Sequence, residues 1–190
     1  MYVNSFMVFL IFNLKFNLFN LKINLLVFIF KILTRKWGFN NMEIERKFLV
    51  SHIPDNLSSY PCRIIEQGYL STNPVVRVRK DNDDYYLTYK GKGMMAREEY
   101  NLPLTKESYK HLIKKSDGNI IAKHRYEIPD GMGHTIELDI FDGVFSGTVL
   151  AEVEFDSIEE ANVYTAPDWF TEDVTTNKEY HNSNMSKKIF

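Results

Sequence analysis

From residue 42 onward the sequence predicts a mainly β fold of the α+β kind: a closed, antiparallel, eight-stranded barrel with a few flanking helices. Three observations lead there. Eight strand-like segments lie within about 115 residues, mostly joined by short turns, and short turns make antiparallel neighbours because parallel ones need crossovers of a dozen or more residues. Along these segments charged and apolar side chains alternate, so each offers one face of either kind. Within a segment the charged pairs are mostly of like sign, whereas solvated sheet faces intersperse signs and include neutral polar residues.

The elements follow in order. MEIERKFLV (42–50) is a strand, and SHIPDNLSSYPC after it is a loop with Pro and Ser breakers. RIIEQGYLS and VVRVRK flank a turn at TNP; DDYYLTYKGKG follows the turn at Asp81-Asn82-Asp83, and KGKGMM leads to AREEYNLPL as a hairpin. Thr105 caps a helix over KESYKHLIKK, with Gly118 beyond its end. IIAKHRYEIP, HTIELDIFDG and GTVLAEVEFD complete the strands, with PDGMG and DGVFSG as turns. Ser157, with Glu160 three residues on, opens a second short helix over IEEANVY. The tail from Pro167 has no clear period until its end.

The charged faces carry the chemistry. Glu43, Glu45 and Lys47 share one face; so do Arg77 with Arg79, Lys90 with Lys92, Lys123 with Arg125, Glu137 with Asp139, and Glu152 with Glu154. Ile44, Val76, Val78, Tyr89, His124, Leu138, Ile140 and Val153 stand between them, largely apolar. Any one such strand is explained by a half-buried sheet with its charges in water. The set asks for more, because adjacent like charges need a partner of opposite sign. Carboxylate pairs suit a divalent cation, which takes oxygen ligands at about 2.0–2.6 Å. Arginine and lysine pairs suit a polyanion, arginine through bidentate phosphate contacts. A barrel with its charged face inward meets both needs, since about eight strands enclose room for one small ligand. A polyphosphate with its metal, Mg²⁺ or Mn²⁺, uses both signs at once.

Composition narrows the partners. Residues 1–41 contain five basic residues and no acid, leaving 18 bases against 25 acids from residue 42, a net charge of −7. An acidic body without a basic block argues against nucleic-acid binding, whose affinity comes mainly from phosphate neutralisation. The single cysteine, Cys62, forms no internal disulfide and no zinc spacing, consistent with a cytoplasmic setting. A homodimer is compatible with the sequence, which fixes no oligomeric state.

Residues 1–41 form a hydrophobic N-terminal extension with two readings. The Phe, Leu, Ile, Asn and Lys bias is what A+T-rich codons give, and Trp37-Gly38, three codons before Met42, requires TGGGGN, which resembles a bacterial ribosome-binding site. On that reading translation starts at Met42. The other reading is a membrane-associating segment, against which Lys15 and Lys22 interrupt the span and no clean helical face appears.

The ordered set resembles a CYTH domain, the module of class IV adenylyl cyclases and thiamine triphosphatases, also called triphosphate tunnel metalloenzymes. Glu43-x-Glu45-x-Lys47 matches the family's ExExK signature, and QGYL (67–70), RVR (77–79), Lys90-Gly91, KHR (123–125), ELD (137–139) and AEVE (151–154) follow in order across residues 42–187. The resemblance implies a tunnel holding a divalent metal and a triphosphate. It implies metal ligands at Glu43, Glu45, Glu152 and Glu154, with Glu137 and Asp139 contributing. It also implies phosphate contacts at Lys47, Arg77, Arg79, Lys90, Lys123 and Arg125, and catalytic roles for Glu43, Glu45 and Tyr69, the last as proton acceptor. One departure stands out: the family's R-x-E-x-E has Asn101 at its second acid, after Glu99. Three functions compete: hydrolysis of a small triphosphate, cyclisation of ATP, and polyphosphate binding without turnover.

Overall fold

The structure, a computed structural model, describes residues 42–190, and both expectations for residues 1–41 lie outside them. Nine strands form: β1 (Met42–Val50), β2 (Cys62–Thr72), β3 (Val75–Asp81), β4 (Asp84–Lys90), β5 (Ala96–Pro103), β6 (Asp117–Pro129), β7 (Thr135–Phe141), β8 (Val149–Glu154) and β9 (Phe170–Asp173). Their order is β5-β4-β3-β2-β6-β7-β8-β1-β9, and β5 also pairs with β1, closing an eight-stranded barrel. Every pairing is antiparallel. The ninth strand, in the tail that shows no period, is an addition to the expected eight.

β1 is shared three ways. Residues 45–49 pair with β8, while along its other edge residues 42–44 pair with β5 and Phe48 and Val50 pair with β9.

The short helices follow their caps. Thr105 accepts from the Ser108 backbone N–H and starts α1 (Lys106–Leu112), which tightens to a 3-10 turn over Ile113–Lys115. Ser157 accepts from the Glu160 N–H and starts α2 (Ile158–Val163), and the Glu160 carboxylate reaches back to the Asp156 N–H at 2.8 Å. A third helix, α3 (Asn182–Met185), adds to the two expected. Gly118 lies beyond the end of the Ile113–Lys115 turn, as expected, and within β6 with φ +68°, where a Cβ would meet the Ser186 carbonyl oxygen at 2.3 Å.

Two apolar clusters hold the barrel. The larger lies on its outer side: Ile44, Phe48, Ile136, Leu138, Ala151 and Val153 pack under Phe155, Ala161, Tyr164 and Phe170. Full burial of one such aliphatic side chain stabilises by about 1.5–3 kcal/mol. This is the apolar face expected between the charges. It is not covered everywhere, since Tyr89 and His124 reach solvent. Among the described residues no helix is long and apolar enough to cross a membrane.

Candidate active site in the barrel interior

The strand period carries the charged rows inward. Glu45, Lys47, Arg77, Arg79, Lys90, Lys123, Arg125, Asp139 and Glu152 are all buried, with Lys123 and Asp139 fully so. Burying that many charges is costly unless each is paired and hydrogen-bonded. The pairs fall into two groups.

The first joins β1, β4 and β5. Lys90 Nζ contacts Glu43 at 2.7 Å and Glu99 at 2.6 Å, while Arg97 reaches Glu43 at 2.9 Å and Glu45 at 3.1 Å. Burial pushes the Glu43 carboxyl up, but Lys90 and Arg97 outweigh it and hold it well below the usual carboxylate range. Glu45 goes the other way: burial raises it, Glu43 and Glu152 add repulsion, and Lys47 offsets only part.

The second joins β1, β6, β7 and β8. Lys47 meets Glu152 at 2.5 Å. Arg125 contacts Glu152 at 2.5 Å and Asp139 at 2.6 Å, and also Glu137; Lys123 contacts Asp139. Burial and the neighbouring Arg125 charge bring the Lys123 ammonium down to about 8, against the pull of Asp139 and Glu152.

Two cations stand apart. Arg77 Nη2 donates to Thr88 Oγ1 at 3.0 Å, and its buried Nε has no partner among the described residues. Arg79 Nε donates to Gln67 Oε1 at 2.9 Å and its Nη1 to Tyr86 Oη at 3.2 Å. Their hydrogen-bond partners are all neutral. Asn101 maintains this at Arg77: its Oδ1 accepts from Thr88 Oγ1 at 2.7 Å, and its Nδ2 donates to Glu99 at 2.8 Å. Two buried guanidiniums facing neutral partners make an anion cradle.

The inward rows end in apolar residues on one side. Ile121 lies beyond Lys123, Phe141 beyond Asp139, Leu150 beyond Glu152 and Tyr69 beyond Gln67, and these cluster with Phe145, Val174 and Met185. Tyr69 is thus buried in the barrel wall, as its packing role requires, yet its hydroxyl accepts from Gln67 Nε2 at 3.1 Å, one residue from Arg79. Lys92 faces solvent on the β4–β5 hairpin.

The carboxylates divide with respect to a cation. Glu43, Glu45 and Glu152 gather closely enough to perturb one another, and Glu154 sits opposite Glu45 across β1–β8. Glu137 and Asp139 are engaged by Lys123, Arg125 and Arg63 instead. Among the described residues no three His, Cys, Asp or Glu groups are arranged as a metal site, and lysine and arginine contact the carboxylates instead. The donor chemistry still fits a hard divalent cation, because the set is all carboxylate oxygen.

Several tunnel residues escape sequence reasoning. Arg97 alternates with Glu99 and Asn101 in AREEYN and was legible by that period. Arg63 contacts Asp81, and with Tyr86, Gln67 and Thr88 they complete the lining. Neutral residues carry no sign to follow, and Arg63 lies at the end of its strand.

The family model for the CYTH domain matches residues 41–188. The chain is 38% identical over 153 residues to an inorganic triphosphatase of Nitrosomonas europaea, covering 77% of this chain and 98% of that protein. It is 38% identical over 156 residues to an inorganic triphosphatase of Acetivibrio thermocellus, covering 78% and 95%. A solved inorganic triphosphatase superimposes with a TM-score of 0.60 at 34% identity, covering 77% of this chain and 95% of that one.

Proposed function

The chain belongs to the CYTH domain family, and we propose that it hydrolyses the terminal phosphoanhydride of inorganic triphosphate inside its barrel. The observation that carries this is the pair Arg77 and Arg79, buried among neutral partners in an interior otherwise rich in ion pairs. A linear triphosphate brings the negative charge they lack, and the named relatives share that substrate.

Each residue then has a task. Arg77 and Arg79 hold phosphoryl oxygens, and Lys47, Lys90, Lys123 and Arg125 exchange part of their carboxylate contacts for phosphate. Charge stabilisation and positioning supply most of the rate in such transfers. A water oxygen attacks the terminal phosphorus, the bond to the bridging oxygen breaks, and diphosphate leaves with the electron pair. The water's proton passes to Glu45, whose carboxyl is raised where those of Glu43 and Glu152 are lowered, or to Tyr69. Glu43, Glu45, Glu152 and Glu154 would hold a divalent cation, Mg²⁺ or Mn²⁺, which when bound neutralises phosphate charge and orients the water.

The test is a product assay with inorganic triphosphate and with ATP, each with Mg²⁺ or Mn²⁺. Orthophosphate and diphosphate from triphosphate are expected. Cyclic nucleotide without phosphate release overturns hydrolysis, and binding without turnover overturns catalysis.

A further inference from the structure

A second concave site lies on the outside of the barrel. Its floor is one row of cross-strand partners, Glu66 on β2, Lys80 on β3 and Tyr85 on β4. Its wall is one face of α1 and the following turn, where Lys106, Tyr109, Lys110, Ile113 and Lys114 recur at helical spacing. The space between is about 390 Å³. Four of its lining residues are lysines and one is an acid, on a body whose net charge is −7.

The charge is not balanced from within. Glu66 is engaged by the Tyr109 hydroxyl, which donates to Oε1 at 2.7 Å and is held there by the buried ring. Among the described residues none of the four ammonium groups lies in an ion pair. Lys106, Lys110 and Lys114 follow one another at intervals of four, where like charges destabilise a helix. A solvated helix face would mix signs; here the second floor position adds a fourth cation instead.

We infer that this groove is a second anion site, taking an inorganic condensed phosphate of three or more phosphoryl groups. Lysine suits such an anion as a set of point charges along a flexible chain. The lining holds no amide side chain with which to read a nucleobase, and one oxygen of its single acid is taken by the Tyr109 hydroxyl. The site goes beyond the hydrolytic reading, since it lies on the opposite face of β2–β4 from Gln67, Arg79 and Tyr86. It concentrates the substrate class of the tunnel at the surface without touching the reacting atoms.

The experiment is calorimetric titration of the full chain with inorganic triphosphate in EDTA, so that binding is read without turnover. Wild-type protein should show two classes of site. The triple variant K106E/K110E/K114E should lose one class and keep the other, with hydrolysis at saturating triphosphate unchanged. Arg77→Ala should lose the complementary class. Where charge reversal unfolds the protein, K106Q/K110Q/K114Q, which retains the Thr105 cap, gives the same reading. Wild-type binding in which no class is removed by either triple variant overturns the inference, whereas a single class that they abolish supports the groove and counts against the tunnel. ATP or a single-stranded oligonucleotide binding the groove more tightly than triphosphate overturns the choice of ligand. None of these outcomes depends on the product assay, so the two readings fail separately.

Discussion

Arg125→Met tests whether the interior is held by charge pairing. Arg125 is shared among Glu137, Asp139 and Glu152, all partly or fully buried. Its removal leaves Lys47 on Glu152 and Lys123 on Asp139, so the deficit is one cation among three acids. Breaking a buried pair by removing one partner costs about 3–5 kcal/mol, and a domain of this size loses about 2–4 °C per kcal/mol, so the melting midpoint should fall by about 6–20 °C. The loss must also depend on pH. In the native protein burial raises the Glu152 carboxyl, but Lys47, Arg125 and Lys123 outweigh it and hold it well below the ordinary range. A depressed carboxyl stabilises above its unfolded pKa and loses that contribution as pH falls through the folded value. Without Arg125 the depression shrinks. The variant's deficit is therefore full near neutral pH and narrows as pH falls from the variant's own folded Glu152 value towards the lower wild-type one, because protonation of the unfolded chains is common to both. Denaturant titrations of both proteins at neutral and acidic pH measure it. An equal deficit at both, or none at either, refutes the reasoning.

Three further outcomes follow from the same geometry. Glu45→Gln should weaken divalent-cation binding and flatten its pH dependence, because the raised Glu45 carboxyl keeps its proton to higher pH than an ordinary glutamate; Mn²⁺ titrations across pH measure both effects, and an unchanged profile excludes Glu45 as ligand. Asn101→Asp places a carboxylate 2.8 Å from Glu99, a repulsion of about 6 kcal/mol at an effective dielectric of about 20. That pair must share a proton or recruit a cation, and KM for triphosphate should rise about tenfold, or about 1.4 kcal/mol, with kcat little changed; an unmoved KM shows that the neutral partner of Arg77 is immaterial. Gly68→Ala drives a Cβ to 2.1 Å from Ser116 Oγ and 2.7 Å from Ile113 Cδ1, so the turn after α1 must shift, at about 1–3 kcal/mol of stability. Thermal melts would show it, and an undiminished midpoint means the turn moves freely.

Much of this was legible in the sequence because a strand has a strict period of two. Glu43, Glu45 and Lys47 fall on one face whatever the register, and so do Lys123 with Arg125. Like-signed pairs that cannot neutralise themselves then required the strands to meet, as Lys47 meets Glu152 and Arg125 meets Asp139. The period does not say which acid meets which base, for that depends on register and barrel closure. Arg97 thus shares a face with Glu99 and Asn101 by period alone, but that it bridges Glu43 and Glu45 follows only from closure of β5 on β1. The neutral residues at Arg77 and Arg79 were hidden for another reason: Thr88 and Gln67 matter by what they do not carry. β9 was missed because FTED is too short to establish alternation and pairs through only two registered positions of β1.

The threefold sharing of β1 has a consequence for how the chain comes off the ribosome. β1 is satisfied along one edge only once β8 has been synthesised, and along the other by β5 and later β9. Until then it offers open backbone groups, a template for wrong partners. Ring closure joins parts of the barrel far apart in sequence, such as Glu45 and Glu154, so folding should be slow for the domain's size. The acidic rows on β1 and β8 thus come together late, and a nascent chain halted before Val149 lacks both the β1–β8 seam and the acids Glu152 and Glu154 that face it.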